Sequence, residues 1–141
     1  MISGIGQLIS NMYGIKEDIA FGYAKTIVTK ASKYGFDPLL IVSIIHHESR
    51  FDPNANSGTG TGLMQIVHKY HKQKVPKKSD LYDPIINIQT GVRILSEYRN
   101  ISKTESDAIL RYNGTLGKST AYLKKIRTTQ KKLTQEIEQY I

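Results

Sequence analysis

The chain has 141 residues, of which 39% are hydrophobic, so its length suits one domain built around a single core. It holds no cysteine, which excludes disulfide bonds and thiolate metal sites and leaves packing to hold the fold together. Lys and Arg outnumber Asp and Glu by 20 to 12, and the net charge of +8 favours polyanionic partners, although no motif that reads nucleic acid is legible.

The first 15 residues lack the features of an export signal. They have no basic start, no long apolar core and no small-residue cleavage site. No apolar run in the chain approaches the roughly 20 residues of a membrane-spanning helix, so we expect no transmembrane segment. We interpret residues 1–15 as a loose N-terminal arm. An amphipathic contact for a neighbouring protein and a remnant of a larger polypeptide stay open as well.

Two helices are predicted before residue 50. Apolar residues recur three, four and seven positions apart from Ile19 to Ala31, which is typical of an amphipathic helix, and Gly35 ends it. Asp37-Pro38 then supplies a capping side chain and a proline at the first helical position. Because this second helix is apolar on nearly all sides, we expect it to form the buried centre of the domain.

Glu48 comes at the end of that second helix. At helical spacing it shares a face with Ile41, Ile44 and Ile45. Burial without a cationic partner raises the pKa of a carboxyl group, and an acid that stays protonated near neutral pH can donate a proton to an ether oxygen. The sequence therefore predicts a general acid. The alternative is a glutamate that points to solvent or pairs with Arg50.

The histidines of the chain do not complete a metal-binding motif. His47-Glu48 begins like the zinc signature His-Glu-x-x-His, but Phe51 stands where the second histidine is required. His68 and His71 are three residues apart and lack a nearby acidic third ligand. No elbow motif supports a Ser-His-Asp site either. We predict no metal and no cofactor.

A long helix is predicted in the second half of the chain. Asp83-Pro84 repeats the cap-plus-proline start, and the apolar spacing continues to about Tyr98. Gly91 lies inside this helix, where glycine costs about 1 kcal/mol relative to alanine. We therefore expect Gly91 to pack closely against another backbone.

The last third of the chain predicts a short helix and a helical tail. The short helix leads into Tyr112-Asn113-Gly114, which alone indicates only a helix end followed by a turn. In residues 127–141, Leu133, Ile137 and Ile141 are four positions apart. That spacing predicts a surface helix that packs on the domain or on a partner.

Several of these residues fall in one pattern. It runs Glu-Ser-x-Phe-x-Pro-x-Ala-x-Ser, then a glycine-containing loop, then Gly-Leu-Met-Gln-Ile, and is present here as Glu48-Ser49, Phe51, Pro53, Ala55, Ser57 and Gly62-Leu63-Met64-Gln65-Ile66. The pattern resembles that of the lytic transglycosylases whose catalytic domain is similar to goose-type lysozyme. Further matches extend the resemblance over about residues 20–126: Asp83-Pro84, Asn87-Ile88, Gly91, Tyr112-Asn113 and the segment from Tyr122 to Ile126.

The resemblance implies an all-α, lysozyme-like domain that cleaves the glycan strands of peptidoglycan. Glu48 is then the catalytic acid and afterwards the base, and the product carries a 1,6-anhydromuramic end. Ser49 orients Glu48 or contacts the N-acetyl group, and Met64 and Gln65 line the cleft wall. Tyr112 forms a hydrogen bond near the acid, and Asn113 contacts sugar.

The chain departs from the family pattern at three points. Its loop before Gly62 is slightly shorter, Thr61 stands where alanine is common, and Arg111 replaces a small residue. A hydrolase on the same fold needs a second carboxylate, for which Asp52, Asp80 and Asp83 are the candidates. A non-catalytic wall-binding or virion assembly module, or a nucleic-acid-binding domain, is also compatible with the sequence.

The place of action implied by the resemblance is the bacterial cell wall. Because no export signal is encoded, the sequence favours a phage-delivered or virion-associated enzyme, such as an endolysin, or a domain of a larger exported protein. Residues 1–15 and 127–141 are the segments we expect to meet a phage structural protein or a secretion machinery. All 141 residues are predicted to form one domain.

Overall fold

The computed structural model describes residues 1–141 and contains helices but no strands. The six α-helices are α1 (Ile2–Tyr13), α2 (Glu17–Tyr34), α3 (Pro38–Ser49), α4 (Pro84–Asn100), α5 (Glu105–Asn113) and α6 (Ala121–Glu136). Three short 3₁₀ helices complete the fold at His68–Tyr70, Lys78–Tyr82 and Ile137–Tyr140. The prediction of an all-α domain is confirmed, and none of the helices combines the length and apolar character needed to cross a bilayer.

Helix α3 forms the centre of the core, as the sequence predicts. The Asp37 side chain accepts a hydrogen bond from the backbone N–H of Leu39 at 3.0 Å, and Pro38 occupies the first turn. Every residue from Leu39 to Ile45 is buried. Helices α2 and α6 pack against α3, so α3 contacts protein on most sides and carries Glu48 outward at its last turn.

The loose arm predicted for residues 1–15 is wrong. Residues 2–13 form α1, which packs against α2 and against the C-terminal segment, with Ile5, Leu8 and Ile9 buried. Gly6 permits this contact, since a Cβ atom there would lie 1.9 Å from the Phe21 ring. The apolar residues of α1 recur at helical spacing, and their partner is the chain itself.

The C-terminal tail packs on the domain, which is one of the two arrangements predicted for it; the other was packing on a partner. Leu133 and Ile137 are buried, whereas Ile141 is exposed. The tail is not a separate element, because residues 127–136 continue the helix that begins at Ala121. Its last turn meets α1, where the Asn11 amide donates a hydrogen bond to the Tyr140 hydroxyl at 2.7 Å.

Helix α4 supports the segment that follows α3. Asp83 caps its start by accepting hydrogen bonds from the N–H groups of Ile85 and Ile86. Gly91 does pack closely, but its neighbour is a side chain and not a backbone: a Cβ atom at Gly91 would lie 2.3 Å from the Met64 sulfur. The glycine therefore makes room for Met64 on the surface of α4.

Candidate active site

Glu48 lies at the floor of a cleft made of two adjoining depressions. The larger, of about 290 Å³, is lined by His47, Arg50 and Asn56 among others, and the smaller, of about 140 Å³, by Tyr112 and Asn113. Glu48, Ser57 and Gln65 belong to both depressions. We call this combined space the cleft. An extended ligand that lies in the cleft would pass directly over the Glu48 carboxyl group.

The surroundings of Glu48 favour its protonated form. Burial raises the pKa of the carboxyl, and a hydrogen bond from the Tyr122 hydroxyl to Oε2 at 2.6 Å opposes that rise only in part. The carboxyl also lies at the C-terminal end of α3, where the partial negative charge of the helix disfavours an anion. No salt bridge forms with Arg50, so the alternative of a paired surface glutamate is excluded.

A sharp reversal after Glu48 turns the chain back across the end of α3. Arg50 and Phe51 both adopt left-handed backbone conformations, with φ of 50° and 60°. Burial of the Phe51 ring against Tyr13 and Tyr23 stabilises this reversal, with ring centroids 4.7 and 6.3 Å away. The reversal brings the glycine-rich loop beside the acid.

The Ser49 hydroxyl ties the end of α3 to the returning segment. It donates a hydrogen bond to the backbone carbonyl of Leu63 at 2.7 Å and lies 3.2 Å from the carbonyl of Ile45. The side chain also borders the larger depression. Ser49 therefore holds the loop against α3 in this structure, and a contact with an N-acetyl group stays a prediction.

Gln65 forms the wall of the cleft opposite α3. Its backbone is left-handed, with φ of 49°, and its side-chain NH₂ donates to the carbonyls of Ala55 at 3.1 Å and Gly62 at 2.9 Å. The side-chain oxygen is buried without a hydrogen-bond partner. Gly60 lies directly against this side chain, because a Cβ atom there would be 2.7 Å from the Gln65 Cβ. Gln65 therefore lines the cleft, and its role in substrate binding stays a prediction.

Met64 does not line the cleft, contrary to the prediction from the sequence. Its side chain is fully buried and rests on α4 at Gly91. The Gln65 backbone is left-handed, so the Gln65 side chain faces the cleft while the Met64 side chain faces the core. Met64 contributes to the site only through its backbone, whose carbonyl accepts a hydrogen bond from the Tyr112 hydroxyl at 2.6 Å.

Asn87 fixes the loop to α4 and is the most connected polar side chain of the site. It is fully buried, its oxygen accepts from the Met64 N–H at 2.8 Å, and its NH₂ donates to the carbonyls of Thr61 at 2.9 Å and Leu81 at 2.8 Å. In the sequence analysis, Asn87 appears only as a match to the family pattern. Its amide in the first turns of an otherwise apolar helix face is the signal that could have identified its structural role.

Two tyrosines stand beside Glu48. Tyr112 lines the smaller depression, and burial raises the pKa of its hydroxyl, with a further contribution from the nearby Glu48 carboxyl. Its hydroxyl bonds to the Met64 carbonyl, so it is near the acid without touching it in this structure. Tyr122, at the start of α6, makes the direct contact with Glu48. Sequence reasoning missed this contact, since 74 residues separate the pair.

The cleft contains no second carboxylate. Glu48 is the only acidic residue among those that line either depression. Asp52 accepts a hydrogen bond from the backbone N–H of Asn54, and Asp83 caps α4. Asp80 lies in the 3₁₀ helix Lys78–Tyr82, outside the lining.

The histidines bond to separate partners. A ring nitrogen of His47 lies 2.6 Å from the Thr129 hydroxyl, and one of His68 lies 2.7 Å from the Val75 carbonyl oxygen. No group of three or more His, Asp or Glu side chains converges on a common point. The structure thus gathers one acid and its hydrogen-bond partners, and no set of metal ligands.

The cleft continues past Tyr112 into a third depression of about 320 Å³. Gln65, Tyr112 and Asn113 are among the residues that it shares with the cleft, and Tyr70, Tyr98 and Arg111 are among its other lining residues. The three depressions together form a groove that crosses the end of α3. Such a groove suits a linear ligand rather than a compact one.

A helical domain with one partly buried glutamic acid of raised pKa at the floor of a groove is the arrangement of a lysozyme-like glycan-cleaving enzyme. Comparison with known families agrees with this class: the model of the transglycosylase SLT domain matches residues 25–135. The chain belongs to that family, and the resemblance found in the sequence is confirmed.

Individual relatives are similar to part of the chain. The membrane-bound lytic murein transglycosylase C of Yersinia enterocolitica is 36% identical over 91 residues, which cover 57% of this chain and 25% of the relative. The protein of the same name from Klebsiella pneumoniae is 33% identical over 116 residues, which cover 70% of this chain and 32% of the relative. The chain therefore spans about a quarter to a third of the length of these relatives.

Proposed function

We propose that the chain is a lytic transglycosylase that breaks the β-1,4 bond between N-acetylmuramic acid and N-acetylglucosamine in peptidoglycan. The observation that carries this proposal is the lone carboxyl of Glu48, whose pKa is raised by burial in a groove that has no second acid. Membership of the transglycosylase SLT family and the names of the relatives support the same reaction and the same polymer.

Glu48 acts twice in the proposed reaction. Its proton passes to the glycosidic oxygen as the bond from that oxygen to C1 of the muramic acid breaks, and the N-acetyl oxygen of the same sugar attacks C1. The Glu48 carboxylate then takes the proton of the C6 hydroxyl, whose oxygen attacks C1 and displaces the N-acetyl oxygen. Glu48 is again protonated, and the muramic acid carries a 1,6-anhydro ring.

The neighbours of Glu48 serve the two halves of this cycle. The Tyr122 hydroxyl donates to Oε2 and so stabilises the carboxylate that forms after the first proton transfer. Gln65 and Asn113 border the depression beside the acid. The exposed Asn113 amide is free to contact the sugar, whereas the Gln65 amide is held by the carbonyls of Ala55 and Gly62. Tyr112 and Ser49 hold the loop that carries Gln65. No step requires a metal or a cofactor.

The absence of a second carboxylate from the groove favours ring closure over hydrolysis. An attacking water needs a base on the face of the sugar opposite the acid, and none of the candidates Asp52, Asp80 and Asp83 lines the groove. The C6 hydroxyl is already tethered to the reacting sugar and needs no such base to approach.

Mass analysis of a peptidoglycan digest tests the proposal. In water labelled with heavy oxygen, we expect fragments one water lighter than lysozyme products, without a reducing end and without label. Reducible fragments that carry the label would identify a muramidase on the same fold. No fragments at all from a folded chain would leave a wall-binding or virion assembly module.

We place the action of the chain at the bacterial cell wall, where its substrate is. Delivery by a phage particle, contact with a secretion machinery and descent from a larger exported protein stay predictions from the sequence. Residues 1–15 and 127–141 are the segments predicted to contact such a partner. Buried residues of α1 and of the C-terminal tail already pack within the chain, so a partner would have to bind their exposed faces.

A further inference from the structure

A basic pocket lies apart from the groove, between α2 and α4. It has a volume of about 390 Å³, and four cationic side chains line it: Lys30, Lys33, Lys74 and Arg93. It shares no residue with any of the three depressions of the groove. Its charge therefore has no part in the proposed reaction.

The cations of the basic pocket outnumber their counter-charges. Glu97 is the one carboxylate that reaches them, with its oxygens 2.8 Å from Lys74 Nζ and 3.6 Å from Arg93 Nε. Lys30 and Lys33 form no salt bridge. Four positive side chains against one carboxylate leave an excess of three positive charges around a concave space. A cavity of that kind concentrates the field and attracts anions.

An unpartnered hydroxyl also faces this pocket. Thr90 is only 7% exposed, yet its hydroxyl makes no hydrogen bond within the chain, whereas Thr26 and Thr134 bond to the carbonyl one turn before them. Because the Thr90 hydroxyl borders the pocket and is not bonded to the rest of the chain, it can donate a hydrogen bond to an anionic oxygen bound there. The neighbouring Gln89 amide adds a second neutral donor.

The pocket has the donors for phosphate groups but no surface for stacking bases. Its one aromatic residue is Tyr34, and the ammonium group of Lys33 covers the ring face at 5.3 Å from the centroid. Binding of single-stranded nucleic acid relies on free aromatic faces. Lysine ammonium groups and a hydroxyl suit the oxygens of a phosphodiester.

We propose that the basic pocket binds the phosphates of a phosphodiester-linked polyol polymer, the class of anionic polymer that some bacterial walls carry. The choice of a wall polymer rests on the proposed function, whereas the recognition of phosphate rests on the pocket alone. Repeating phosphates along such a strand would occupy the pocket while the groove stays free for the glycan. The pocket then holds the enzyme on the wall between cleavage events.

Binding of a synthetic glycerol-phosphate oligomer tests this site. Lys30→Gln/Lys33→Gln should weaken binding about tenfold at low salt and lower the slope of log affinity against log salt by roughly two. Lys30→Arg/Lys33→Arg should bind like the parent chain. The matched control is Lys16→Gln/Lys131→Gln, which removes the same charge from exposed positions at the start of α2 and on α6 and should change binding less than twofold.

Two results would overturn the proposal. Equal losses in the two glutamine variants would mean that net charge alone attracts the polymer. A single-stranded DNA oligomer of equal charge that binds more tightly, through the same lysines, would identify a nucleic-acid surface instead. Circular dichroism of each variant shows that folding is intact.

Cleavage of two wall preparations separates this site from the proposed function. On walls stripped of phosphodiester polymer, Lys30→Gln/Lys33→Gln should cleave at the parent rate, and on untreated walls it should be slower. If the variant cleaved untreated walls at the parent rate as well, the proposed phosphate site would be contradicted. If the parent chain cleaves neither preparation, the proposed function fails, while the binding titration still decides on the pocket.

Discussion

The cleft around Glu48 and the shell that α1 builds with the C-terminal segment are stabilised by different forces. In the cleft, directed hydrogen bonds hold each wall: Ser49 to Leu63, Gln65 to Ala55, and Tyr122 to Glu48. In the shell, apolar faces meet, with one side-chain hydrogen bond between Asn11 and Tyr140. Apolar packing tolerates small shifts, whereas a hydrogen-bonded site does not. Substitutions in the two regions should therefore change different measured quantities.

Removal of the acid should give the largest effect, and on activity alone. Glu48→Gln keeps the shape of the side chain but cannot donate a proton, so wall cleavage should fall by about 10²-fold to 10⁴-fold. Turnover on purified peptidoglycan measures this loss. A variant that retains more than a few per cent of the parent activity would refute the assignment of Glu48.

The same variant should be at least as stable as the parent at neutral pH. Burial raises the pKa of Glu48 above 4.5 in the folded chain, so the parent loses stability as the pH rises from about 4.5 through the folded pKa. Glu48→Gln lacks that loss. The difference in unfolding free energy should vanish below pH 4.5 and favour the variant above the folded pKa, which denaturant titrations at several pH values would measure.

Truncation of a buried side chain in the shell should lower stability and leave activity nearly unchanged. Leu8→Ala removes a buried side chain from α1 and should lower the free energy of unfolding by about 2–5 kcal/mol. Activity measured well below the unfolding temperature should stay within twofold of the parent. Met12→Ala, a partly exposed position on the same helix, is the control. A stable Leu8→Ala variant would mean that α1 is not part of the core.

Asn87→Ala should lower both the stability and the activity of the chain. It removes the partner of the Met64 N–H and of the Leu81 carbonyl, and one of the two donors to the Thr61 carbonyl, which should cost about 2–4 kcal/mol of stability. Because these groups carry the wall that presents Gln65, activity should fall as well. Asn100→Ala, at an exposed position at the end of the same helix, should change neither quantity. Loss of stability without loss of activity would separate the loop from catalysis.

The smallest expected effect is a shift in pH dependence. The Tyr122 hydrogen bond lowers the pKa of Glu48, so Tyr122→Phe should raise it further. Since the proposed reaction begins with protonated Glu48, the decline of activity at high pH should move to higher pH. The maximal rate should drop about tenfold because the carboxylate formed in the reaction loses its partner. Tyr70→Phe, on an exposed tyrosine, should leave the pH profile unchanged.

The parts of this molecule that the sequence predicts are those set by local pattern. Asp37-Pro38 and the apolar run after it specify α3, and the position of Glu48 follows from helical spacing. The packing of α1 was missed because residues 1–14 contain several weak helix formers: Gly4, Gly6, Asn11 and Gly14. Its partner, the face of α2 with Phe21, is visible only in the folded chain.

The errors at the site have one physical origin. Met64 and Gln65 differ in their surroundings because a single left-handed residue decides which side chain faces the core. The contact between Tyr122 and Glu48 joins two helices far apart in sequence. Neither feature produces a periodic pattern in the sequence. The family pattern identifies the residues of the site but not the direction in which each side chain points.

The burial of Met64 gives the protein an internal reporter of opening. Of its three methionines, Met1 and Met12 are 60% and 39% exposed, whereas Met64 is 0% exposed and its sulfur rests on Gly91. A mild peroxide oxidises accessible thioethers first, so Met64 reacts only in molecules whose cleft wall has separated from α4. Its conversion to the sulfoxide therefore records how often that wall opens, and the added oxygen would keep the wall from closing again.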